Sequence, residues 1–229
     1  MNLDPQEPTG VSPGGTWPSE RPATTATASP DTGPAAVRTL VSVDEYLRMA
    51  DAGVWEPGRR IELIEGEIVD MSPMETPHWR SLQALLEWTR YNLPRHLGFT
   101  CQMSLVLRGQ RSVPEPDLAW FVPFPEEYRR AEGPDVVLIV EVADTSRRQD
   151  LTVKRRLYAA ASVPEYWVVD LDRRRVVVHR TPEADDYRAV TEHGDAETVA
   201  PLCAPEATLS VGALLPPRDE SPANPATST

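Results

Sequence analysis

Residues 136–142, Val-Val-Leu-Ile-Val-Glu-Val, form the segment that most constrains the fold of this 229-residue chain. An almost unbroken aliphatic run of this length predicts a strand that is buried on both faces. A helix is predicted next, over residues 148–161, and a Ser-Val-Pro sequence ends it before another strand over residues 165–170. Strand, helix and strand in this order predict an α/β domain with a mixed sheet and a right-handed crossover.

The segment before this unit predicts an N-terminal helix and a β-hairpin. Ser42 with Glu45 three residues later is a capping box, which predicts a helix over residues 43–52. Residues 60–64 and 67–71 then alternate apolar with polar side chains around a Glu-Gly pair. Glycine supplies the positive φ that a tight two-residue turn requires, so these residues predict a hairpin.

A second helix and further strands complete the predicted secondary structure. Thr76 and Pro77 suit the N-cap and first position of a helix over residues 78–91, whose leucines would face inward. The remaining predicted strands cover residues 100–107, 116–121, 175–180, 187–192 and 197–202, of which the last two would finish the sheet.

The two ends of the chain have a different composition from its centre. Residues 1–36 and 216–229 are rich in Pro, Thr and Ser and poor in aliphatic residues. Such segments bury too little apolar surface to offset the entropy of ordering, so both are predicted to be disordered extensions of one domain over residues 37–215. Neither a signal peptide nor a run of about 18 apolar residues is recognisable, which favours a cytoplasmic protein without membrane contact.

The charge of the chain limits how it could bind nucleic acid. A net charge of −12 excludes a surface that is basic throughout, because neutralising phosphates requires clustered cations. The basic residues are nevertheless concentrated in one stretch. The residues of this stretch are Arg147, Arg148, Lys154, Arg155 and Arg156. Such a run predicts a solvated face and also permits a local phosphate-binding strip.

Lys154 is the one lysine among 23 basic Lys and Arg residues. Lysine is a compact charge whose proton affinity responds to its surroundings, whereas arginine stays charged and binds anions through a planar fork. Helical spacing places this lysine on a mostly apolar face with Leu151, Leu157, Tyr158 and Ala161. It is therefore a candidate site residue, and the alternative is a lysine whose stem packs on the core while its tip reaches water.

Acidic residues occur at positions where buried strands would favour apolar side chains. Asp117 opens one predicted strand, and Glu141 follows five aliphatic residues of another. A buried carboxylate is costly unless it is paired or binds a metal ion. Because Mg²⁺ is usually held by one or two carboxylates with waters and substrate phosphate, the two residues predict a magnesium site that Lys154 could approach from the next helix.

These residues belong to a longer pattern that resembles the Uma-type restriction endonuclease family, which is grouped with the PD-(D/E)XK nuclease superfamily. The resemblance covers nearly all of residues 40–200, and its most specific part lies between residues 141 and 170. The pattern consists of Glu-Leu-Ile-Glu-Gly-Glu at 62–67, His78, Pro116-Asp117, Glu141-Val142, Asp150, Lys154, Tyr158 and Val-Pro-Glu-Tyr-Trp at 163–167.

The resemblance implies a restriction-endonuclease-like core and a metal-dependent endonuclease that hydrolyses DNA phosphodiester bonds. Asp117 and Glu141 would hold Mg²⁺, for which Mn²⁺ could substitute. A standard motif places lysine two residues after the glutamate, but this chain has Ala143 there. In the family the lysine is thought to have moved to the following helix, so Lys154 would assist the attacking water. DNA is the implied partner, and the formation of a homodimer stays open.

Other residues of the pattern have two interpretations each. Glu62 could be a further metal ligand or an exposed hairpin glutamate, and His78 could be an accessory site residue or have only a positional role. Asp150 suits a helix cap better than catalysis. Tyr158 and Trp167 are expected to pack the helix against the sheet rather than to contact bases.

Two other functions compete with the nuclease. The first is an interaction module that keeps the nuclease fold and has lost its chemistry, which the acidic charge favours. The second is an unrelated metal-dependent phosphohydrolase that acts on small substrates. Serine hydrolase and P-loop motifs are not present in the sequence, so these two classes find no support.

Overall fold

The computed structural model describes residues 39–123, 130–144 and 146–217. The extension predicted over residues 1–36 lies outside the described residues, as do residues 218–229 of the predicted tail. The helices and strands in chain order are α1 Val43–Asp51, β1 Ile61–Ile64, β2 Glu67–Asp70, α2 Thr76–Asn92, β3 Gly98–Thr100, β4 Leu118–Phe121, β5 Val136–Ala143, α3 Arg147–Gln149, α4 Arg155–Ala160, β6 Glu165–Asp170, β7 Arg175–Glu183, β8 Asp186–Gly194, β9 Thr198–Val199, β10 Leu209–Ser210 and α5 Val211–Leu214.

A mixed sheet with the strand order β3-β4-β5-β6-β7-β8 forms the centre of the domain. The β5–β6 pair is parallel and the other neighbours are antiparallel. Side chains of β5 alternate between two hydrophobic cores, so Val140 and Val142 pack on one face while Ile139 and Ala143 pack on the other. The predicted α/β class with a mixed sheet and a doubly buried central strand is confirmed.

Helices cover both faces of the sheet. Leu85 and Trp88 of α2 pack in the core on one face, whereas Leu157 and Tyr158 of α4 pack in the core on the opposite face. The crossover between β5 and β6 includes α3 and α4, as the sequence predicts. No helix of the described part of the chain is both long and apolar enough to span a bilayer.

The N-terminal helix and the hairpin also form as predicted. Ser42 and Glu45 make both hydrogen bonds of the capping box at the start of α1. In the β1–β2 turn, Glu65 and Gly66 both have positive φ, at 51° and 86°. A Cβ on Gly66 would lie 2.9 Å from Cβ of Leu40, so glycine is required here by close packing as well as by backbone conformation.

Two predicted boundaries near the second helix are wrong. The N-cap of α2 is Glu75, so Thr76 is already helical. This shift is tolerated because no backbone N–H of the first turn has an intrahelical partner, and Pro77 therefore loses no bond there.

The strand predicted over residues 100–107 ends at residue 100. Its neighbouring segment contains Pro114 and Pro116, which cannot donate to a β-ladder.

The last predicted strand does not complete the central sheet. Thr198 and Val199 pair instead with Ser210 and Leu209, in a separate two-stranded ladder. At this end of the central sheet the edge strand is β8, which pairs with β7. Periodicity identified the strand but could not identify its partner.

Candidate active site

Strands β4 and β5 bring two acidic side chains together. Leu118 pairs with Val140, so Asp117 and Glu141 follow as the next facing positions. The backbone N–H of Asp117 donates to Oε2 of Glu141 at 3.3 Å, and the N–H of Val142 donates to Oδ2 of Asp117 at 2.9 Å. Both carboxylates are buried. The tertiary structure therefore places the two candidate metal ligands side by side.

Lys154 reaches this pair from the crossover helix. Its Nζ lies 3.0 Å from Oε1 of Glu141 and 2.9 Å from Oε1 of Glu62. Only 4% of the residue is exposed, so the ammonium is enclosed by carboxylates rather than directed into water. The interpretation as a lysine with a solvated tip is therefore wrong, and the expected proximity of Lys154 to the acidic pair is observed.

Glu62 is a buried member of the same cluster. Strand β1 is buried along its whole length. Leu63 packs into a small core on one face of the strand, and Glu62 faces the acidic cluster on the other. Oε1 of Glu62 also accepts a hydrogen bond of 2.8 Å from the backbone N–H of Glu115. The exposed hairpin glutamate that the sequence left open is thus excluded.

Asp150 occupies a different position from the one expected for a helix cap. It begins a π-helical turn, Asp150–Lys154, which joins α3 to α4 where the sequence predicts uninterrupted α-helix. Its Oδ2 accepts from the Ser146 hydroxyl at 2.5 Å, and its Oδ1 lies 3.8 Å from Nζ of Lys154. The carboxylate is buried, so Asp150 is a fourth acid of the cluster. π-helical turns occur often at functional sites.

Three carboxylates of this cluster, those of Glu62, Glu141 and Asp150, face one ammonium group, and the fourth acid, Asp117, adjoins Glu141. Burial raises the pKa of Glu141 well above its usual value, and the charges of Asp117, Asp150 and Glu62 raise it further, against the effect of Lys154. Burial likewise raises the pKa of Asp150 to about 6. Burial alone would lower the pKa of Lys154, but the charges of Glu141, Glu62 and Asp150 outweigh it and raise that pKa. The surrounding acids therefore favour the charged form of Lys154.

Asp117 has surroundings that favour its ionised form. Burial by itself would raise its pKa, but hydrogen bonds with His78, Val142 and Gln102 bring the pKa below its usual value. Nε2 of His78 lies 3.0 Å from Oδ1 of Asp117, and the Gln102 amide donates to the same oxygen at 3.2 Å. His78, in the first turn of α2, thus contacts one acid of the pair, Asp117, directly.

Tyr158 packs the crossover helix against the sheet, as expected from the sequence, whereas Trp167 packs in the core on the opposite face, beside Trp88 of α2. The Tyr158 hydroxyl also donates to Oε1 of Glu141 at 2.8 Å. Its ring is fully buried, which raises the pKa of the hydroxyl. The sequence did not predict this contact, although the i, i+4 spacing of Lys154 and Tyr158 placed both side chains on one helical face.

Replacement of Tyr158 by phenylalanine tests how strongly the helix supports Glu141. The variant leaves the buried carboxylate one donor short, and a hydrogen bond to a charged group contributes about 1.5–3 kcal/mol. We expect a loss of this size in the free energy of unfolding at pH 8, measured with denaturant. Tyr91→Phe is the matched control, since Tyr91 is 74% exposed on α2. Equal stability of both variants would contradict a contribution from this hydrogen bond.

A cleft of ≈510 Å³ opens onto the cluster. The segment after β2 forms one wall, and the crossover helix forms the other. The predicted basic strip contributes less to this cleft than expected, since Arg155 and Arg156 form ion pairs with Asp186 and Glu65 instead. The charged and polar residues that line the cleft are Arg60, Glu62, Asp70, Ser72, His78, Asp117, Glu141, Ser146, Arg148, Gln149, Asp150, Thr152 and Lys154.

The donor atoms of the cluster suit a hard divalent cation. Carboxylate oxygens are the ligands that Mg²⁺ prefers, and their buried excess charge would be neutralised by a cation. Within the described ranges, no three His, Cys, Asp or Glu side chains are arranged to hold a metal ion unaided. Mg²⁺ does not require such a cage, because it keeps several waters and commonly binds one or two carboxylates. Asp117 and Glu141 fit this mode.

The family comparison agrees with the motifs. The Uma2 family, described as "Putative restriction endonuclease", matches residues 43–212, which include every residue of the cluster. The chain belongs to the Uma2 family. The resemblance that the sequence motifs indicated is thereby confirmed. No curated protein matches this Uma2 protein.

A solved structure supports the fold of this Uma2 protein. It is the crystal structure, at 1.96 Å resolution, of a putative nuclease belonging to DUF820 from Anabaena variabilis ATCC 29413. The TM-score is 0.60 at 19% sequence identity, and the match covers 76% of this chain and 97% of that one. The similarity confirms the restriction-endonuclease-like core with its mixed sheet and flanking helices.

Proposed function

We propose that this Uma2 protein is a metal-dependent endonuclease that hydrolyses DNA phosphodiester bonds. The observation that carries the proposal is the position of Glu141, whose carboxylate lies between the backbone of Asp117 and the ammonium group of Lys154. This arrangement combines two oxygen ligands and a cation at the base of an open cleft. The Uma2 membership favours DNA over other phosphodiesters as the substrate.

Asp117 and Glu141 would hold the Mg²⁺ ion, with Glu62, whose Oε1 lies 2.9 Å from Nζ of Lys154, as a further candidate. A bound Mg²⁺ would supply Lewis acidity toward the phosphate and lower the pKa of a water molecule. His78 and Gln102 keep the Asp117 carboxylate ionised and fix its orientation, so that it is ready to accept a cation. At Glu141, burial favours the neutral form of the carboxyl group, and the charge of Lys154 opposes this effect.

Lys154 has a raised pKa and therefore acts as a cation rather than as a base. Its ammonium group would stabilise the negative charge that develops on the phosphate oxygens, or orient the attacking water by donating a hydrogen bond. Tyr158 and the π-helical turn hold this part of the helix against Glu141. The burial of the cluster limits bulk water around Lys154. This strengthens the attraction between its ammonium group and a bound phosphate.

The test is a cleavage assay with supercoiled plasmid and with single-stranded DNA, each incubated with Mg²⁺, Mn²⁺ or EDTA. We expect cleavage in the presence of either metal ion and none in EDTA. Asp117→Asn should be inactive, whereas Glu87→Gln, which changes an exposed acid of α2, should retain activity. If the folded wild type leaves both DNA forms intact with both ions, the nuclease proposal fails and an interaction module becomes the better interpretation.

A further inference from the structure

Arg60 is a basic residue of the cleft that the proposed chemistry does not use. It directly precedes β1, and its backbone carbonyl accepts a hydrogen bond from Met71, which extends the hairpin by one residue pair. Because side chains two residues apart in an extended segment share a face, Arg60 points to the same side as Glu62. Both residues line the cleft, so a guanidinium group lies beside the acidic cluster.

The guanidinium group of Arg60 is only weakly paired. Its NH2 nitrogen lies 3.8 Å from Oε2 of Glu115, which is beyond hydrogen-bond distance. The same nitrogen is buried and has no hydrogen-bond acceptor among the described residues. A buried donor without an acceptor costs about 1–3 kcal/mol, so this group is expected to gain from an added anion.

The neighbouring Arg59 shows that an unpaired guanidinium nitrogen is not a general property of arginines in the hairpin. Its guanidinium group makes two hydrogen bonds to the Asp70 carboxylate, at 2.7 and 2.9 Å, on the exposed side of the hairpin. Arg59 is thus engaged by the protein itself, whereas Arg60 lines the cleft with a side chain that is 33% exposed and has one guanidinium nitrogen without an acceptor among the described residues. The two adjacent arginines have the same charge and differ in their availability to a ligand.

We propose that Arg60 is a phosphate-binding residue of the cleft, which holds a phosphate of the DNA backbone next to the one being hydrolysed. The inference rests on the proposed nuclease function. Along an extended strand, two residues span about 6.6 Å, so the backbone of Arg60 is set back from that of Glu62 by roughly that distance. Guanidinium groups bind phosphate oxygens through two parallel hydrogen bonds, which suits a fixed contact in this position.

Glu115 limits the strength of this contact. Its carboxylate Oε2 lies 3.8 Å from the NH2 nitrogen of Arg60, so the two side chains attract each other electrostatically. The backbone N–H of Glu115 also donates to Glu62, which ties the pair to the acidic cluster. A phosphate that approaches Arg60 must compete with this carboxylate. Removal of the Glu115 charge should therefore strengthen DNA binding, and the gain should depend on the presence of Arg60.

The experiment measures the affinity for a short DNA duplex by fluorescence anisotropy, with Ca²⁺ replacing Mg²⁺, over a series of KCl concentrations. Loss of one phosphate contact should reduce the slope of log Kd against log [KCl] by about 0.9. We expect this reduction in Arg60→Gln and an unchanged slope in Arg59→Gln, the matched control. Glu115→Gln should lower Kd in the wild-type background but leave Kd unchanged in the Arg60→Gln background.

Arg60→Lys provides a variant that keeps the charge of the native residue. It should retain the wild-type salt slope and bind more weakly, because an ammonium group cannot form the paired hydrogen bonds. Thermal unfolding of each variant checks that it is folded. Equal slopes for wild type, Arg60→Gln and Arg59→Gln would overturn the role of Arg60, while cleavage by the wild type in Mg²⁺ would leave the nuclease function standing. A wild type that neither binds nor cuts DNA would overturn both.

Discussion

Replacement of Lys154 by arginine is expected to reduce the cleavage rate about 10²–10³-fold while the domain still folds. The Nζ atom lies within 3.0 Å of both Glu62 and Glu141, so the space around it fits a small ammonium group. A guanidinium group is larger and planar, and it cannot occupy that space without moving the two carboxylates. The positive charge is kept, so the surrounding acids still face a cation.

Arginine is a better probe than alanine at this position. Lys154→Ala would leave Glu62, Glu141 and Asp150 without their shared cation, and breaking a buried ion pair costs about 3–5 kcal/mol. Loss of activity could then reflect unfolding. Single-turnover cleavage and thermal unfolding should be measured for Lys154→Arg beside Arg156→Lys, which makes the reverse change at an exposed ion pair two residues further on. Near-full metal-dependent cleavage by Lys154→Arg would show that the lone lysine is not required.

The second large effect concerns the response of stability to metal ions. A ligand that binds the folded state at 100 times its Kd adds about 2.7 kcal/mol of stability. Mg²⁺ or Mn²⁺ at that excess should therefore raise the Tm of the wild type. Both Asp117→Asn and Glu141→Gln should remove most of this response, since each lacks one proposed ligand. Glu87→Gln, with its change on the exposed face of α2, should respond like the wild type.

The two variants should differ in metal-free stability. The folded-state pKa of Glu141 is raised, so its ionised form opposes folding at neutral pH, and Glu141→Gln should be more stable than the wild type. This gain should shrink as the pH falls through the raised pKa towards 4.5, where the wild-type carboxyl also becomes neutral. The pKa of Asp117 is lowered, so its ionised form supports folding. Asp117→Asn should be less stable above about pH 3.8, and the difference should vanish as the pH falls through the lowered pKa.

Calorimetry of the wild type and the three variants, with and without the ions, measures both effects. Equal metal responses in all four proteins would contradict the proposed ligands, even if DNA were cleaved. A metal response without a stability gain in Glu141→Gln would instead contradict the raised pKa of that residue. The two outcomes are independent, because one concerns binding of a cation and the other concerns the metal-free fold.

Much of the fold was predictable because it depends on local patterns. The aliphatic run of β5 has no polar face, so it must be covered on both sides. The Ser42–Glu45 capping box and the Gly66 turn likewise use only neighbouring residues, and both formed as predicted. The prediction of a strand over residues 100–107 was wrong because a strand of this length needs a partner segment that donates hydrogen bonds. The neighbouring segment, further along the chain, contains Pro114 and Pro116.

The residues of the site likewise divide into those that local sequence patterns identify and those that depend on distant segments. Asp117, Glu141 and Lys154 could be selected from the sequence, because a charge within an apolar pattern and a single lysine among arginines are visible without coordinates. Glu62 and Asp150 could not be assigned to the cluster in this way. An alternating strand and a helix start show which side a residue faces but not what covers that side.

The sequence by itself thus determined the α/β class, the order of most elements and the three residues on which the proposed chemistry depends. Only the tertiary structure decided that three carboxylates share one ammonium group, that Tyr158 supports Glu141, and that Arg60 rather than Arg59 faces the cleft. Local periodicity fixes direction within one element. The charge environment of a side chain depends on distances between elements, which form only when the sheet and its helices pack.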